Sequence, residues 1–192
     1  MFYALCNWIV KNWGGIKNIK EQNIKKGVDA FYEHDTIKFQ NISSISKIAA
    51  FIDPNENVIY DSRALSSLDW ILLATGSRTK FFPIPKGRDN SMIAFDIGVL
   101  IRLKNISKYQ QSPNFTNVDS NIFIDQDCAY AEFNKTLKKI NCELWKDDKR
   151  RKSNPFYTEM LLFSIAKGRV MEELISQSRI IIKKKLYPYK DK

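Results

Sequence analysis

Ile42-Ser43-Ser44-Ile45-Ser46-Lys47-Ile48-Ala49-Ala50-Phe51 and, a few residues on, Val58-Ile59-Tyr60-Asp61-Ser62-Arg63-Ala64 carry the clearest local order in the chain. Ile45, Ile48, Ala49 and Ile52 recur at the spacing that lines up side chains on one face of a helix, so a short helix is expected from Ser43. It ends at Asp53-Pro54-Asn55, because Pro54 crowds Asp53 out of the helical conformation and Asn favours a turn. Val58-Ile59-Tyr60 then reads as a brief extended run. Asp61 stands where an N-cap belongs, its carboxylate placed to accept a backbone N–H of the next turn. A second helix follows through Ala64, Leu65, Leu68, Trp70, Ile71 and Leu72 and stops at Gly76.

Helical spacing continues on both sides of this pair. Phe2, Leu5, Trp8, Ile9 and Trp13 predict a first amphipathic helix with a stop at Gly14-Gly15, and Trp8, Trp13 and Trp70 are expected in the core. Lys17 to Tyr32 forms a second helix with Ile19, Ile24, Val28 and Phe31 on one side, ended by His34-Asp35. Gly76 to Asn90 reads as a loop in which Arg78, Lys80, Lys86 and Arg88 surround Phe81-Phe82, Pro83 and Pro85. Met92 to Leu103 is read as helical although its apolar residues alternate at period two, and Ser107 to Asp127 is irregular. Ala129 to Trp145 is helical, Lys146 to Ser153 is a charged linker, Pro155 opens a helix at its first turn, and a last helix runs from Arg169 to about Ile182. Glu159, among Met160, Leu161 and Leu162, is open to two readings, a buried functional carboxylate or, the favoured one, a residue on a solvated face.

The quoted stretch resembles the core of the helix-hairpin-helix DNA glycosylases, most closely the 8-oxoguanine glycosylase branch. The similarity covers Asn41 to Leu68, and the run from Phe51 to Arg63 is also similar to small bacterial proteins thought to share that fold. In the branch, a hairpin precedes a lysine nucleophile and the next helix begins with a catalytic aspartate. Carried over, Lys47 falls on the nucleophile and Asp61 on the aspartate. Ser44 and Ser46 stand in place of the hairpin glycines whose amides approach a DNA phosphate, and Arg63 stands where the family often has His. The resemblance implies a mainly α, helix-hairpin-helix glycosylase-like domain over 1–192, without the N-terminal sheet domain of larger relatives. Residues 41–75 would hold the hairpin and catalytic helix, and 146–154 would link to the C-terminal helices.

The implied activity is excision of a modified base from DNA, in base-excision repair or phage defence, with abasic-site lyase activity if Lys47 forms a Schiff base. A carboxylate beside C1′ stabilises the positive charge that develops on the sugar. An amine whose pKa is lowered by burial or nearby cations can attack the same carbon. Phe81 and Phe82 would wedge or stack beside an everted base while Arg78, Lys80, Lys86 and Arg88 hold the backbone; the other reading, slightly favoured, is a proline-rich surface loop pinned by two buried phenylalanines.

Composition agrees with a nucleic-acid partner. The 192 residues carry a formal net charge of +10, which attracts polyanions, and 44% hydrophobic with 27% charged residues is a globular balance. Cys6, Cys128 and Cys142 are odd in number and lack the spacing of a zinc or iron–sulfur site, so a cytoplasmic, reducing compartment and no metal or other cofactor are expected. The apolar start is too short to span a bilayer and no membrane role is implied. Two other readings fit the same basic helical chain. One is a DNA-binding protein without catalysis; the other is a protein-interaction or toxin–antitoxin-type regulator.

Overall fold

The computed structural model describes residues 1–34, 36–77, 80–85, 96–104 and 120–177, and these are mainly helical, with no β-strand among them. Helix α1 (Phe2–Trp8) runs into a π-helical turn (Ile9–Trp13), followed by α2 (Glu21–His34), α3 (Ile42–Ile52) and α4 (Ser62–Thr75). Next come α5 (Ile97–Lys104), α6 (Ala129–Leu144), a single turn α7 (Lys149–Lys152), α8 (Phe156–Ile165), a second π-helical turn (Ala166–Val170) and α9 (Met171–Gln177). Among the described residues the buried apolar side chains, Ala166 apart, form one cluster. Among the described residues no helix is long and apolar enough to cross a membrane.

Local chemistry sets the ends of the central pair. Asp53 ends α3, and its Oδ1 accepts the N–H groups of Asn55 and Glu56, which makes the turn that Pro54 requires. Asp61 caps α4 through Arg63 N at 2.8 Å, and Gly76 closes that helix at φ 66°, in the left-handed region where glycine is favoured. Between the helices, Tyr60 N donates to Ser46 Oγ at 3.0 Å, tying the segment before Asp61 to α3. Helix α4 packs along α8, where Ser67 Oγ donates to the Leu162 carbonyl at 2.8 Å, and α3 packs on α2 and on the first π-helical turn.

Three expectations are corrected here. Trp8 and Trp13 are not core residues; they are 51% and 50% exposed, while Cys6, Ile9 and Val10 face inward. The wide π-helical turn, Ile9–Trp13, changes the angle per residue and takes Trp13 out of the stripe read at ordinary helical spacing, whereas Trp8 precedes that turn and lies on the same exposed side of α1 as Leu5. Phe81 and Phe82 are buried and cannot wedge into DNA in this conformation. Phe81 forms a parallel bridge with Phe123, and the Phe82 ring packs edge-on against Phe133 at 5.5 Å. The charged linker is in part a helical turn, because Asp148 caps it through Arg151 N and buried Asn141 donates to the Arg151 and Lys152 carbonyls at 2.8 Å. The helical part of 92–103 holds from Ile97 onward; Met92 to Phe95 lie outside the described residues.

The 80–85 segment is drawn in by buried polar groups. Phe82 N donates to Asp69 Oδ1 at 2.9 Å, and Tyr60 Oη donates to the Pro83 carbonyl at 2.9 Å. Asp69 is fully buried, and its Oδ2 has no hydrogen-bond partner among the described residues. Burial pushes this carboxyl well above the ordinary range; the Phe82 amide opposes that shift and Asp96 adds to it. A folded-state pKa above the unfolded value means that the stability contributed is full below the unfolded value, about 3.9, and is lost as pH rises through the raised one. Asp69→Asn keeps an acceptor for Phe82 N and cannot ionise. Its melting temperature should therefore gain on the wild type as pH rises from about 4 to 7, by about 2–4 °C for each kcal/mol. Parallel melting curves across that pH range would contradict the assignment.

Candidate active site

Helix α3 is buried almost all round: Ser44, Ile45, Ser46, Lys47, Ile48 and Ala49 are all inside. Lys47 is therefore an interior lysine, 8% exposed, whose Nζ donates to the Ser43 carbonyl one turn back at 3.0 Å. Its methylene stem lies against Gly14, at the end of the first π-helical turn. Burial lowers the Lys47 ammonium below the ordinary lysine range, while the negative charges of Asp61 and Glu159 pull it back up.

Asp61 reaches the same place from the start of α4. Its backbone is extended, at φ −102° and ψ 139°, which turns the chain into the helix and leaves the half-buried carboxylate at the helix N-terminus. The third group is Glu159. Pro155 opens α8, and one turn on, Glu159 is held inside at 5% exposure, with its N–H donating to the Pro155 carbonyl at 3.2 Å. Burial pushes its carboxyl up to about 8; Asp61 adds to that shift and Lys47 opposes it.

These three groups line one open cavity of about 1280 Å³, together with Trp13, Gly14 and Arg63. Met160 and Phe163 line it too, with the Arg63 guanidinium 4.9 Å from the centre of the Phe163 ring. A cavity with apolar and aromatic walls and a few convergent ionisable groups is the usual form of a small-molecule site. Two carboxyls in unlike surroundings beside an amine of reduced basicity suit proton transfer and nucleophilic attack. Among the described residues no cluster of His, Cys, Asp and Glu could hold a metal ion.

Of the residues singled out in the sequence, Lys47, Asp61, Arg63 and Ser44 come together on this cavity. Ser46 does not. It is fully buried and spends its hydroxyl on Tyr60 N, so it fixes the approach to Asp61 and does not face a phosphate. Lys80 is exposed and does not line the cavity, whereas Pro85 from the same segment does. Arg78, Lys86 and Arg88 lie outside the described residues. Glu159, placed on a solvated face by its neighbours, is buried instead; its spacing with Leu162 and Ala166, both buried, is the signal that puts it on the inner face. Trp13 and Gly14 reach the site from a segment that reads only as the end of a helix.

No protein-family model, curated protein or solved structure matches the chain.

Proposed function

We propose that the chain is a DNA glycosylase of the helix-hairpin-helix type, which takes an everted, modified base into this cavity and breaks the bond joining it to deoxyribose. The observation that carries the reading is the meeting of Lys47, Asp61 and Glu159 in one cavity, with the amine and one carboxyl buried. The resemblance of 41–68 to the 8-oxoguanine glycosylase branch supports it, since the same two positions, Lys47 and Asp61, were singled out there. The net charge of +10 supplies attraction to the DNA backbone.

Each group has a role. As the C1′–N bond breaks, positive charge develops on the sugar and the Asp61 carboxylate stabilises it. The neutral Lys47 amine forms a bond to C1′ while the base leaves with the bonding electron pair. Glu159, protonated below about pH 8, gives its proton to the departing base and then takes one from the Lys47 nitrogen. Opening of the sugar ring, with the amine's second proton passing to O4′, leaves a Schiff base. Water hydrolyses it to free Lys47 and an abasic site. Trp13 and Phe163 line the cavity, and aromatic rings there would replace the stacking an everted base loses.

The test uses duplexes carrying 8-oxoguanine, an alkylated base or a bulky modified cytosine, with abasic sites revealed by alkaline strand scission. Scission at the modified position of at least one duplex is expected. Intact strands in all three, with DNA binding retained, would leave a binding protein without this chemistry. Binding itself should weaken steeply with salt, the logarithm of the association constant falling by about 0.9 per neutralised phosphate for each tenfold rise. An affinity that stays flat from low to physiological salt would remove DNA as the partner.

A further inference from the structure

Gly14 and Gly15 are adjacent, but the backbone asks different things of them. Gly15 sits at φ 70°, in the left-handed region. Gly14 sits at φ −81° and ψ −8°, where any residue is at ease, and its N–H closes the π-helical turn on the Ile9 carbonyl at 2.8 Å. Backbone conformation therefore gives no reason for a glycine at position 14. Space does: a Cβ there would lie 2.7 Å from Lys47 Cδ and 2.9 Å from Lys47 Cε.

We infer that Gly14 is a positioning residue for Lys47: its missing side chain is the space that the lysine stem fills, and this holds the amine back on the Ser43 carbonyl inside the cavity. The inference rests on reading Lys47 as the reactive amine of the site. A long, flexible lysine beside an open cavity of about 1280 Å³ would otherwise extend into it and hydrate its charge. Lying against Gly14, the stem instead keeps the amine buried among the groups that face it, Asp61 from α4 and Glu159 from α8, with Arg63 on the same cavity. Burial lowers the ammonium, so seating the stem also sets the share of neutral amine.

Gly14→Ala should push the lysine stem toward the open cavity, because Cδ and Cε can move and the α3 backbone cannot. The Lys47 signal in the full chain labelled with ¹³C-lysine, assigned by its loss in Lys47→Ala, should titrate below the surface lysines in the wild type and move up into their range in Gly14→Ala. Reductive trapping of DNA should slow by a factor on the order of 100, the usual result of misplacing a reacting group by about 1 Å.

The same Cβ would also lie 2.9 Å from the Ile9 carbonyl, so alanine can strain the turn whatever Lys47 does. A double-mutant cycle separates the two effects. Melting temperatures of the wild type, Gly14→Ala, Lys47→Ala and the double variant should show a larger loss from Gly14→Ala when Lys47 is present than when it is truncated. Equal losses in the two backgrounds, failure of Gly14→Ala and of the double variant to fold, or a Lys47 titration unchanged by Gly14→Ala would each overturn the inference. The glycosylase reading is judged apart from it. If no duplex yields free base while the titration shift and the coupling hold, the reaction fails and the seating of Lys47 by Gly14 stands.

Discussion

Asp61→Asn is expected to lower single-turnover base release by about 10²–10³-fold while the chain stays folded and bound to DNA. Asn caps a helix about as well as Asp, and its side-chain oxygen can accept from Arg63 N as Asp61 Oδ1 does now at 2.8 Å. What the folded state loses is the attraction of a negative charge for the helix N-terminus, about 0.3–1 kcal/mol. That is a few degrees of melting temperature at most for a chain of this size. The reaction loses the negative charge beside the sugar when positive charge develops there. The nucleophile itself is not disarmed, because the Asp61 charge now raises the Lys47 ammonium, and its removal leaves a larger share of neutral amine. Removing the charge also lowers the Glu159 carboxyl that it now helps to raise, so the rates are compared well below pH 8, where Glu159 keeps its proton; a fall there would report the charge at C1′, neither the cap nor the lysine. Release at the wild-type rate by Asp61→Asn would reduce Asp61 to a helix cap.

Lys47→Ala is expected to abolish the covalent DNA adduct captured by borohydride, which reduces the Schiff base to a stable secondary amine. Binding should survive, since one cation among 31 Lys and Arg residues adds little to the overall attraction. Folding should survive as well. The variant removes a charge whose burial is unfavourable, and the space left adjoins a cavity already open to solvent. Glu159 would lose the positive charge that now opposes its upward shift, so its carboxyl would rise further above about 8 and stay protonated at neutral pH. Undiminished trapping in Lys47→Ala would assign the nucleophile to another amine.

What could be read from the sequence divides along physical lines. The α3–α4 pair was legible because its signals are local: a Pro after Asp53, a capping Asp61, and apolar residues at helical spacing on both sides. Glu159 is legible only as a choice between a buried functional carboxylate and a solvated one, because α8 is apolar nearly all round, through Met160, Leu161, Leu162 and Phe163, and gives little by which to orient it. The burial of Phe81 and Phe82 depends on partners distant in the chain, Asp69, Phe123 and Phe133. Their own segment leaves a wedge into DNA and a loop pinned by two buried phenylalanines both open, and only those distant partners decide between them. The exposure of Trp13 is hidden for another reason: a π-helical turn breaks the period from which inner and outer faces are inferred. The place of Lys47 is readable from its own segment, but its burial depends on Gly14, Asp61 and Glu159, which come from three other parts of the chain.

In the proposed reaction a DNA sugar reacts inside the cavity between Asp61 and Glu159. The most direct test is to trap the wild-type protein on a modified duplex with borohydride, digest protein and DNA, and locate the sugar remnant by mass spectrometry. A single modified lysine, Lys47, is expected. A remnant on an exposed lysine, such as Lys149 or Lys152 of the basic turn, or neither an adduct nor released base from any duplex tested, would contradict it.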